Sequence, residues 1–334
     1  MLGGERRQSE KKEIQSESAM RNQMETRIVT KFSVLIPVHN REGLIAATID
    51  SVLSQTFTDY EVIVVDDGST DRTGEVLRSY GTRINVIHQE NQGPEIARSR
   101  GAAMACGEYL VFLDSDDLLT PWALATYNRI IESAQSPALI TAALTYYREG
   151  QRFPEQGERV AIRLYPDYLS KDVTQEVSCS VIVIARAAYE RCGGLRRSTP
   201  KTFHMDNHDM LLRFGIVGPC VVVQEPLTVL YRMHEGNCVK DVQKMVEGAL
   251  AVIATERQGR YPGAARRRFG RYALIGGMAW GWAKQSMRVR RPDLAFKLVV
   301  WSSPMIIAGV LKRLWFNLHG VTDAVWLSGD GMSK

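Results

Sequence analysis

The feature that most constrains the fold is an alternation of short apolar runs with helical periodicity, repeated four times between residues 32 and 135. Each run has the length and composition of a buried strand, and each is followed by apolar residues at helical spacing. The predicted strands lie at 32–36, at 60–65, in 84–90 and in 108–117. Regular alternation of this kind predicts an α/β fold in which helices flank a mostly parallel sheet.

Polar clusters follow three of the predicted strands, namely PVHN at 37–40, DDGST at 66–70 and DSDD at 114–117. In a parallel sheet, ligands bind at the carboxyl ends of the strands, so the three clusters are expected to meet at one edge. Burying the unpaired carboxylates of DSDD would cost on the order of several kcal/mol. They therefore hold a cation against an anionic ligand, or Asp116 or Asp117 caps the helix that begins near Pro121.

The remaining segments carry weaker signals. Residues 1–30 are rich in charged and small polar residues, which predicts a mobile charged tail, and they lack the apolar stretch of a secretory signal. The five cysteines are scattered and form no CxxC pair, which favours a reducing compartment and argues against a zinc site. Beyond residue 138 the alternation fades, and after about residue 240 the chain is predicted to be helical.

Residues 255–319 are strongly basic, with thirteen Lys or Arg against two acids. Two Trp-rich apolar stretches, 272–283 and 298–316, are flanked by these basic residues. Neither offers about 18 uninterrupted apolar residues, so no membrane span is expected. Two interpretations stay open: helices lying on an anionic membrane surface, or an ordinary amphipathic subdomain. Nothing in the region resembles a nucleic-acid recognition module.

With these clusters in place, residues 31–235 resemble a family 2 inverting glycosyltransferase of the GT-A fold. The motifs are VLIPVHNRE, SVLSQTFTDYEVIVVDDGSTD, NQGPEIARSRGAAMACGEYLVFLDSDD, DNHDMLLR and LYRMHEGN. The resemblance implies a nucleotide-binding half at 31–137, an acceptor half at 138–240 and a basic helical region at 241–334. It also implies a nucleotide-diphospho-sugar donor, with a divalent cation, Mn²⁺ or Mg²⁺, held by the acid cluster.

The resemblance assigns donor-side roles to individual residues. Asp116 is the expected metal ligand, with His234 near the diphosphate as a metal-linked or supporting residue. Asp67 is expected to accept a hydrogen bond from the base, and Arg98 to face the diphosphate. The other expected contacts to the nucleotide sugar are Pro37, His39, Asn40, Asp114 and Ser115. The family usually has Tyr where His39 stands, so the preference for uracil is less secure here.

The acceptor side departs from the family pattern. Relatives have Glu-Asp-x-Asp/Glu before an apolar LxxR stretch, with the second position as catalytic base, but this chain has Asp206-Asn207-His208-Asp209. Asn207 cannot accept a proton at neutral pH, so Asp206, Asp209 or His208 takes the role, with Asp206 narrowly favoured. Alternatively, Asp206 only caps the following helix.

The resemblance implies transfer of an α-linked sugar to a hydroxyl with inversion, and the basic helices alone indicate a role in surface polysaccharide or lipid-linked glycan synthesis. The acceptor is expected to be a glycan or a lipid-linked molecule, and the location cytoplasmic, with binding to the inner face of the plasma membrane as an option. The alternative is a catalytically altered sugar-nucleotide-binding protein of the same fold, suggested by Asn207. A Rossmann dehydrogenase is disfavoured, because no GxGxxG follows the first strand.

Overall fold

The structure is a computed structural model of the 334-residue chain. It describes residues 30–154, 159–173, 175–195, 204–320, 322–328 and 331–333. The charged N-terminal tail expected at 1–30 lies outside the described residues, except for Thr30.

The strands and helices are numbered in chain order. The strands are β1 Phe32–Val38, β2 Tyr60–Asp67, β3 Asn85–Gln89, β4 Tyr109–Phe112, β5 Leu118–Leu119, β6 Leu139–Thr141, β7 Leu144–Tyr147, β8 Val160–Tyr165, β9 Ile182–Ala185, β10 Cys220–Glu225, β11 Val229–Arg232, β12 Val325–Ser328 and β13 Gly331–Ser333. The helices are α1 Ile45–Leu53, α2 Thr73–Ser79, α3 Pro94–Met104, α4 Ala123–Ser133, α5 Arg186–Arg191, α6 Asp206–Phe214, α7 Val242–Arg257, α8 Arg268–Arg288 and α9 Pro292–His319.

A ten-stranded sheet organises the described residues, in the order β13-β12-β8-β10-β6-β9-β4-β1-β2-β3. The first four strands in the chain are parallel, as the alternation predicts, and only β9, β8 and β13 run against the rest. A smaller sheet of β5, β11 and β7 lies beside it. Most strands of the large sheet therefore run in the same direction. The exceptions, β8, β9 and β13, all follow β4 in the chain and are antiparallel to their neighbours.

The register of the first strands aligns their carboxyl ends. Val38 of β1 pairs with Asp66 of β2, and Leu35 pairs with Phe112 of β4. All seven residues of β1 are buried, as are all four of β4, because helices cover both faces. The polar segments that follow these strands consequently leave the core at one edge.

A second hydrophobic cluster holds α7, α8 and α9 together, separate from the core around the large sheet. The helices α8 and α9 approach closely at Gly276, where an added Cβ would lie 2.0 Å from the carbonyl oxygen of Met305. Only glycine permits that backbone contact.

Three details differ from the sequence-based expectations. The strand β8 was not anticipated, and the C-terminal segment is not helical to its end, because β12 pairs with β8 and extends the sheet. Pro121 precedes α4 instead of starting it.

Among the described residues, α9 alone is long and apolar enough to cross a membrane, which the sequence analysis did not expect. Core helices of soluble proteins meet the same criterion, and 33% of its most apolar window is buried.

Candidate active site

The loops after β1 and β2 support each other through side-chain hydrogen bonds. His39 Nδ1 lies 2.9 Å from the carbonyl oxygen of Asp67, and Asn40 Oδ1 accepts from the amide of Thr70 at 2.8 Å. Asn40 has a positive φ of 51°, a conformation that Asn tolerates better than most residues. Pro37 is buried within β1. The polar clusters PVHN and DDGST thus form one structured rim, and Asn40 connects the two loops.

Asp67 lies under this rim with its carboxylate largely engaged. Oδ1 accepts from Gln89 Nε2 at 2.7 Å and from the amide of Gln92 at 2.8 Å, while Oδ2 accepts from the amide of Gly93 at 2.8 Å. A carboxylate oxygen can accept two hydrogen bonds, so Oδ2 has capacity for one further donor. The side chain is therefore a rigid acceptor, held in place by the segment before α3.

The acids of the DSDD cluster have different surroundings. Asp117 is buried and accepts from Ser180 Oγ at 2.6 Å and from the amide of Arg232 at 3.1 Å. Burial, with Asp116 and Asp114 nearby, raises the pKa of Asp117 well above its ordinary value. Asp117 therefore stabilises the loop and does not face a ligand.

Asp116 is the acid that lies beside His234 and Arg41. Its Oδ2 lies 3.0 Å from His234 Nε2 and 3.6 Å from Arg41 Nη2. Burial alone would raise the pKa of this carboxyl, but the hydrogen bond from His234 and the charge of Arg41 lower it. Neither Asp116 nor Asp117 caps α4, whose N-cap is Trp122 without a side-chain hydrogen bond, so the capping alternative is wrong.

Arg98 joins two acids that are distant in sequence. From α3, its Nη2 donates to Asp114 Oδ1 and its Nη1 to Asp206 Oδ2, each at 2.5 Å. Burial and the nearby Asp206 and Asp116 raise the pKa of Asp114, although Arg98 opposes the shift. Ser115 next to it is buried, and its carbonyl oxygen accepts from Thr48. The Arg98 guanidinium therefore holds Asp114, which follows β4, close to Asp206, the first residue of α6.

The structure does not bring Asp209 to this point. Its carboxylate accepts from Tyr261 Oη and Arg213 Nε, both at 2.6 Å, in a buried cluster. The Asn207 amide donates to the carbonyl oxygen of Val177 at 2.8 Å. Burial and the nearby Lys171 lower the pKa of His208 to about 4. Asp206 does not cap α6, whose N-cap is Met205, so that alternative is also wrong.

The donor set can accommodate a divalent cation only in part. No group of three or more His, Cys, Asp or Glu with metal-binding geometry is found within the described residues. Mg²⁺ commonly takes one or two carboxylates and completes its shell with phosphate oxygens and water. Asp116 can provide such a ligand. Because the amide of Gly236 donates to His234 Nδ1, the neutral ring carries its proton on Nε2 and donates to Asp116. His234 thereby orients the carboxylate.

Sequence reasoning missed Arg232 and Arg41 as parts of this site. Arg232 Nε donates to the carbonyl oxygen of Asp116 at 2.6 Å, and its Nη2 to that of Leu44 at 2.8 Å. Both arginines lie inside motifs that were recognised, so their position in VLIPVHNRE and LYRMHEGN was the available signal.

A cavity of about 760 Å³ opens beside Asp114 and Asp206. It extends past residues 168–173 and 175–178 to α8 and α9, so Asp114, Asp206 and the basic helices line one continuous space.

Comparisons with known proteins agree with the fold and the motifs. The model of the glycosyl transferase family 2 matches residues 33–191, just under half of the chain. The chain is 38% identical over 120 residues to the uncharacterized glycosyltransferase EpsJ of Bacillus subtilis, covering 35% of this chain and 34% of that protein. It is 39% identical over 106 residues to the glycosyltransferase GlyA of Streptococcus pneumoniae, covering 30% and 15% respectively. These matches span about a third or less of the relatives' length.

Solved structures show the same fold at low identity. S. aureus TarS 1–349 in complex with UDP has a TM-score of 0.54 at 16% identity, covering 86% of this chain and 92% of that one. The mannosyltransferase PcManGT of Pyrobaculum calidifontis, in complex with GDP-Man and Mn²⁺, has a TM-score of 0.50 at 15% identity, covering 86% and 88%. The fold is therefore that of GT-A glycosyltransferases. Residues 33–191 match the glycosyl transferase family 2 model, which agrees with the resemblance seen in the motifs.

Proposed function

We propose that this protein is an inverting glycosyltransferase that moves a sugar from a nucleotide-diphospho-sugar, with UDP as the expected nucleotide, to a hydroxyl acceptor. The observation that carries the proposal is the Arg98 bridge between Asp114 and Asp206, next to Asp116. It places an acid of the donor edge and an acid of the acceptor side around one space. A donor sugar and an acceptor hydroxyl must meet in such a space for direct transfer.

On the donor side, Asp116 is the proposed ligand for a divalent cation, Mn²⁺ or Mg²⁺. When bound, such a cation neutralises diphosphate charge and assists departure of the leaving group. His234 and Arg232 fix the Asp116 carboxylate and its backbone, while Arg98 provides a guanidinium suited to diphosphate oxygens. Asp67, with one lone pair available on Oδ2, is the proposed acceptor for the base. Pro37, His39, Asn40, Asp114 and Ser115 complete the proposed donor contacts.

On the acceptor side, we assign Asp206 as the general base. Its carboxylate faces the cavity and can take the proton of the acceptor hydroxyl. The hydroxyl oxygen then attacks the anomeric carbon from the face opposite the leaving nucleotide diphosphate. Asp209 is engaged with Arg213 and Tyr261. The lowered pKa of His208 makes it a weak base at neutral pH. The structural hydrogen bond of Asn207 is consistent with a base displaced by one residue.

Release of sugar from a panel of nucleotide sugars, measured with Mn²⁺ and with EDTA, tests this function. We expect at least one UDP-sugar to be hydrolysed, with EDTA or Asp116→Asn abolishing the activity. Asp59→Asn, an isosteric change at an exposed residue before β2, should leave it intact. Binding of a nucleotide sugar without any turnover would instead support the alternative, a binding protein of the same fold, which the asparagine at position 207 favours.

We further propose that the chain works at the inner face of the plasma membrane on a glycan or lipid-linked acceptor, with a basic helical region at 241–319 next to a catalytic unit at 31–240. The exposed apolar residues of α9, with its basic neighbours, support this location. The cysteines, all of them free, fit a reducing compartment.

Sedimentation with anionic vesicles tests the membrane contact. Replacing the exposed Leu311 and Leu318 of α9 by Ser should reduce co-sedimentation. The Phe153→Ser variant, exposed but outside the helices, should behave as the wild type. Equal sedimentation of all three proteins would contradict the proposed surface.

A further inference from the structure

One face of α8 and one face of α9 line the cavity, and the two faces carry similar kinds of side chain. On α8, the positions Gly277, Trp280, Gly281 and Lys284 follow i, i+3, i+4, i+7 spacing. On α9, the same spacing is occupied by Gly309, Lys312, Arg313 and Phe316. Residues at this spacing share one face of a helix, so each helix offers glycine, an aromatic ring and a basic group to the cavity.

The glycines of α8 leave room inside the cavity. An added Cβ at Gly277 or at Gly281 would have no atom within 4 Å. Glycine inside a helix costs roughly 1 kcal/mol relative to alanine, so these two positions do not favour helix formation. Their effect is to keep the wall of the cavity open along about one turn of α8.

Two lysines face the cavity without a carboxylate partner. Lys171 Nζ donates to Tyr168 Oη at 2.7 Å and Lys312 Nζ to the carbonyl oxygen of Leu169 at 2.6 Å, and both acceptors are neutral. Neither lysine forms an ion pair with an acid in the described part of the chain.

The electrostatics of this pair are unfavourable as they stand. Burial lowers the pKa of each lysine to about 8, and the charge of Lys312 contributes to the lowered pKa of Lys171. Asp167 and Asp172 favour the charged form of Lys312, but Asp167 is paired with Arg267, and Asp172, which also lines the cavity, accepts a hydrogen bond from Tyr165. An anionic group between the two lysines would relieve their mutual repulsion.

We propose that this cavity is an acceptor subsite in which Lys171 and Lys312 hold the phosphate group of an amphiphile whose hydrocarbon chain lies along the glycine face of α8. The inference rests on the proposed transferase function, because it places the acceptor's hydroxyl end at Asp206, which lines the same cavity.

An amphiphile fits better than a soluble phosphate for two reasons. The part of the cavity formed by α8 and α9 carries three aromatic side chains, Trp280, Trp282 and Phe316, next to the basic Lys284 and Arg313. In addition, Trp280 is both a lining residue and exposed, and α9 carries a run of exposed apolar side chains. An apolar path therefore leads from the lysines to the surface proposed to contact the membrane.

Isothermal titration of the full chain with decyl phosphate, below its critical micelle concentration, tests the proposal. We expect saturable binding, with Lys171→Gln and Lys312→Gln each weakening it by about tenfold or more, the usual effect of losing a charged hydrogen bond. Lys297→Gln, the same charge change at an exposed site of α9, should have no effect. Gly277→Leu and Gly281→Leu should also weaken binding, because their side chains would fill the open wall.

Each control ligand has a defined outcome. Decanol and inorganic phosphate should each bind at least about tenfold more weakly than decyl phosphate. Equal binding of decanol would overturn the role of the lysines, and equal binding of inorganic phosphate would overturn the hydrocarbon path. Absence of decyl phosphate binding, or lysine variants that match Lys297→Gln, would overturn the subsite altogether.

Binding of UDP with Mn²⁺, measured on the same samples, separates the inference from the proposed function. Retained UDP binding by the Lys and Gly variants also shows that they are folded. If the wild type binds UDP but not decyl phosphate, only the subsite is wrong. If it binds neither, the proposed transferase function fails as well.

Discussion

The strand-end site and the helical C-terminal region each contain a buried arginine. The carboxylates paired with the first arginine line the cavity, whereas the carboxylate paired with the second is enclosed by the protein. Arg98 is paired with Asp114 and Asp206, whose side chains are 26% and 21% exposed and line the cavity. Arg271 of α8 is paired with Glu256 of α7, which is 1% exposed. Arg271 also donates to the carbonyl oxygens of Pro262 and Ala264.

The exposure of the paired carboxylates, and not the burial of the arginine, separates a charge cluster that can bind a ligand from one that only supports packing. Both arginines are almost fully buried, at 4% and 3% side-chain exposure. The closed pair of Arg271 satisfies its charges within the protein, so it can only support packing. The open cluster of Arg98 leaves two carboxylates in contact with a space large enough for a ligand. Burial of the arginine alone does not distinguish them.

The largest effect is expected for the two acids of α6. Asp206→Asn should lower the transfer rate by about 10²–10⁴-fold, the usual contribution of a general base. Asp209→Asn should change the rate by less than about tenfold but reduce the free energy of unfolding by about 1–3 kcal/mol, since it weakens bonds to Arg213 and Tyr261. Transfer assays and urea unfolding of both variants check this. A rate loss in Asp209→Asn alone would reverse the assignment.

Breaking the closed pair of Arg271 and Glu256 is expected to change the free energy of unfolding and to leave UDP binding unchanged. Arg271→Met leaves Glu256 buried without its partner and should lower the free energy of unfolding by about 3–5 kcal/mol. Arg98→Met should cost less stability, because its carboxylates reach solvent, but should weaken UDP binding. Urea unfolding with UDP titration of the folded variants measures both. If Arg98→Met binds UDP as the wild type does, the open cluster is structural too.

The smallest expected effect is on the pH dependence of the free energy of unfolding. It arises from Glu95, which lies near Asp206 of the open cluster. Burial, with Asp209 and Asp206 nearby, raises the pKa of Glu95 to about 7 from an ordinary 4.5. The folded state therefore binds more protons than the unfolded state between these values, so stability falls as pH rises through that window.

Glu95→Gln should remove this contribution, a change of about 1 kcal/mol or less because solvent screens the partly exposed side chain. Urea unfolding of wild type and variant at pH 5 and pH 8 measures the difference. Identical pH dependence in the two proteins would show that Glu95 does not titrate as described.

Much of the donor edge could be predicted from the sequence, because strand register and the carboxyl-end rule place PVHN, DDGST and DSDD together without knowledge of side-chain packing. The pairing of Arg98 with Asp206 could not, since the two residues are 108 positions apart and meet only in the folded chain. The sequence favoured Asp206 over Asp209 only narrowly, because both lie in the first turn of α6. They are separated by tertiary partners, above all Tyr261, that no local pattern encodes.

The C-terminal region was less predictable for a different reason. The chain after about residue 240 was expected to be helical, as α7, α8 and α9 are. The short strands β12 and β13 were not expected, because they depend on the edge of β8, which was itself not anticipated. The cavity lysines gave no signal either, because Lys171 and Lys312 come from separate segments and are joined only by the bend at Tyr168–Ser170.

The central claim, that the strand-end acids bind a nucleotide diphosphate through a cation at Asp116, is tested most directly by calorimetry with UDP. For the wild type and for the Asp59→Asn control, we predict that Mn²⁺ increases UDP affinity by about tenfold or more relative to EDTA. The Asp116→Asn variant should lose that increase. Equal UDP affinity with and without Mn²⁺, unchanged in Asp116→Asn, would contradict the account.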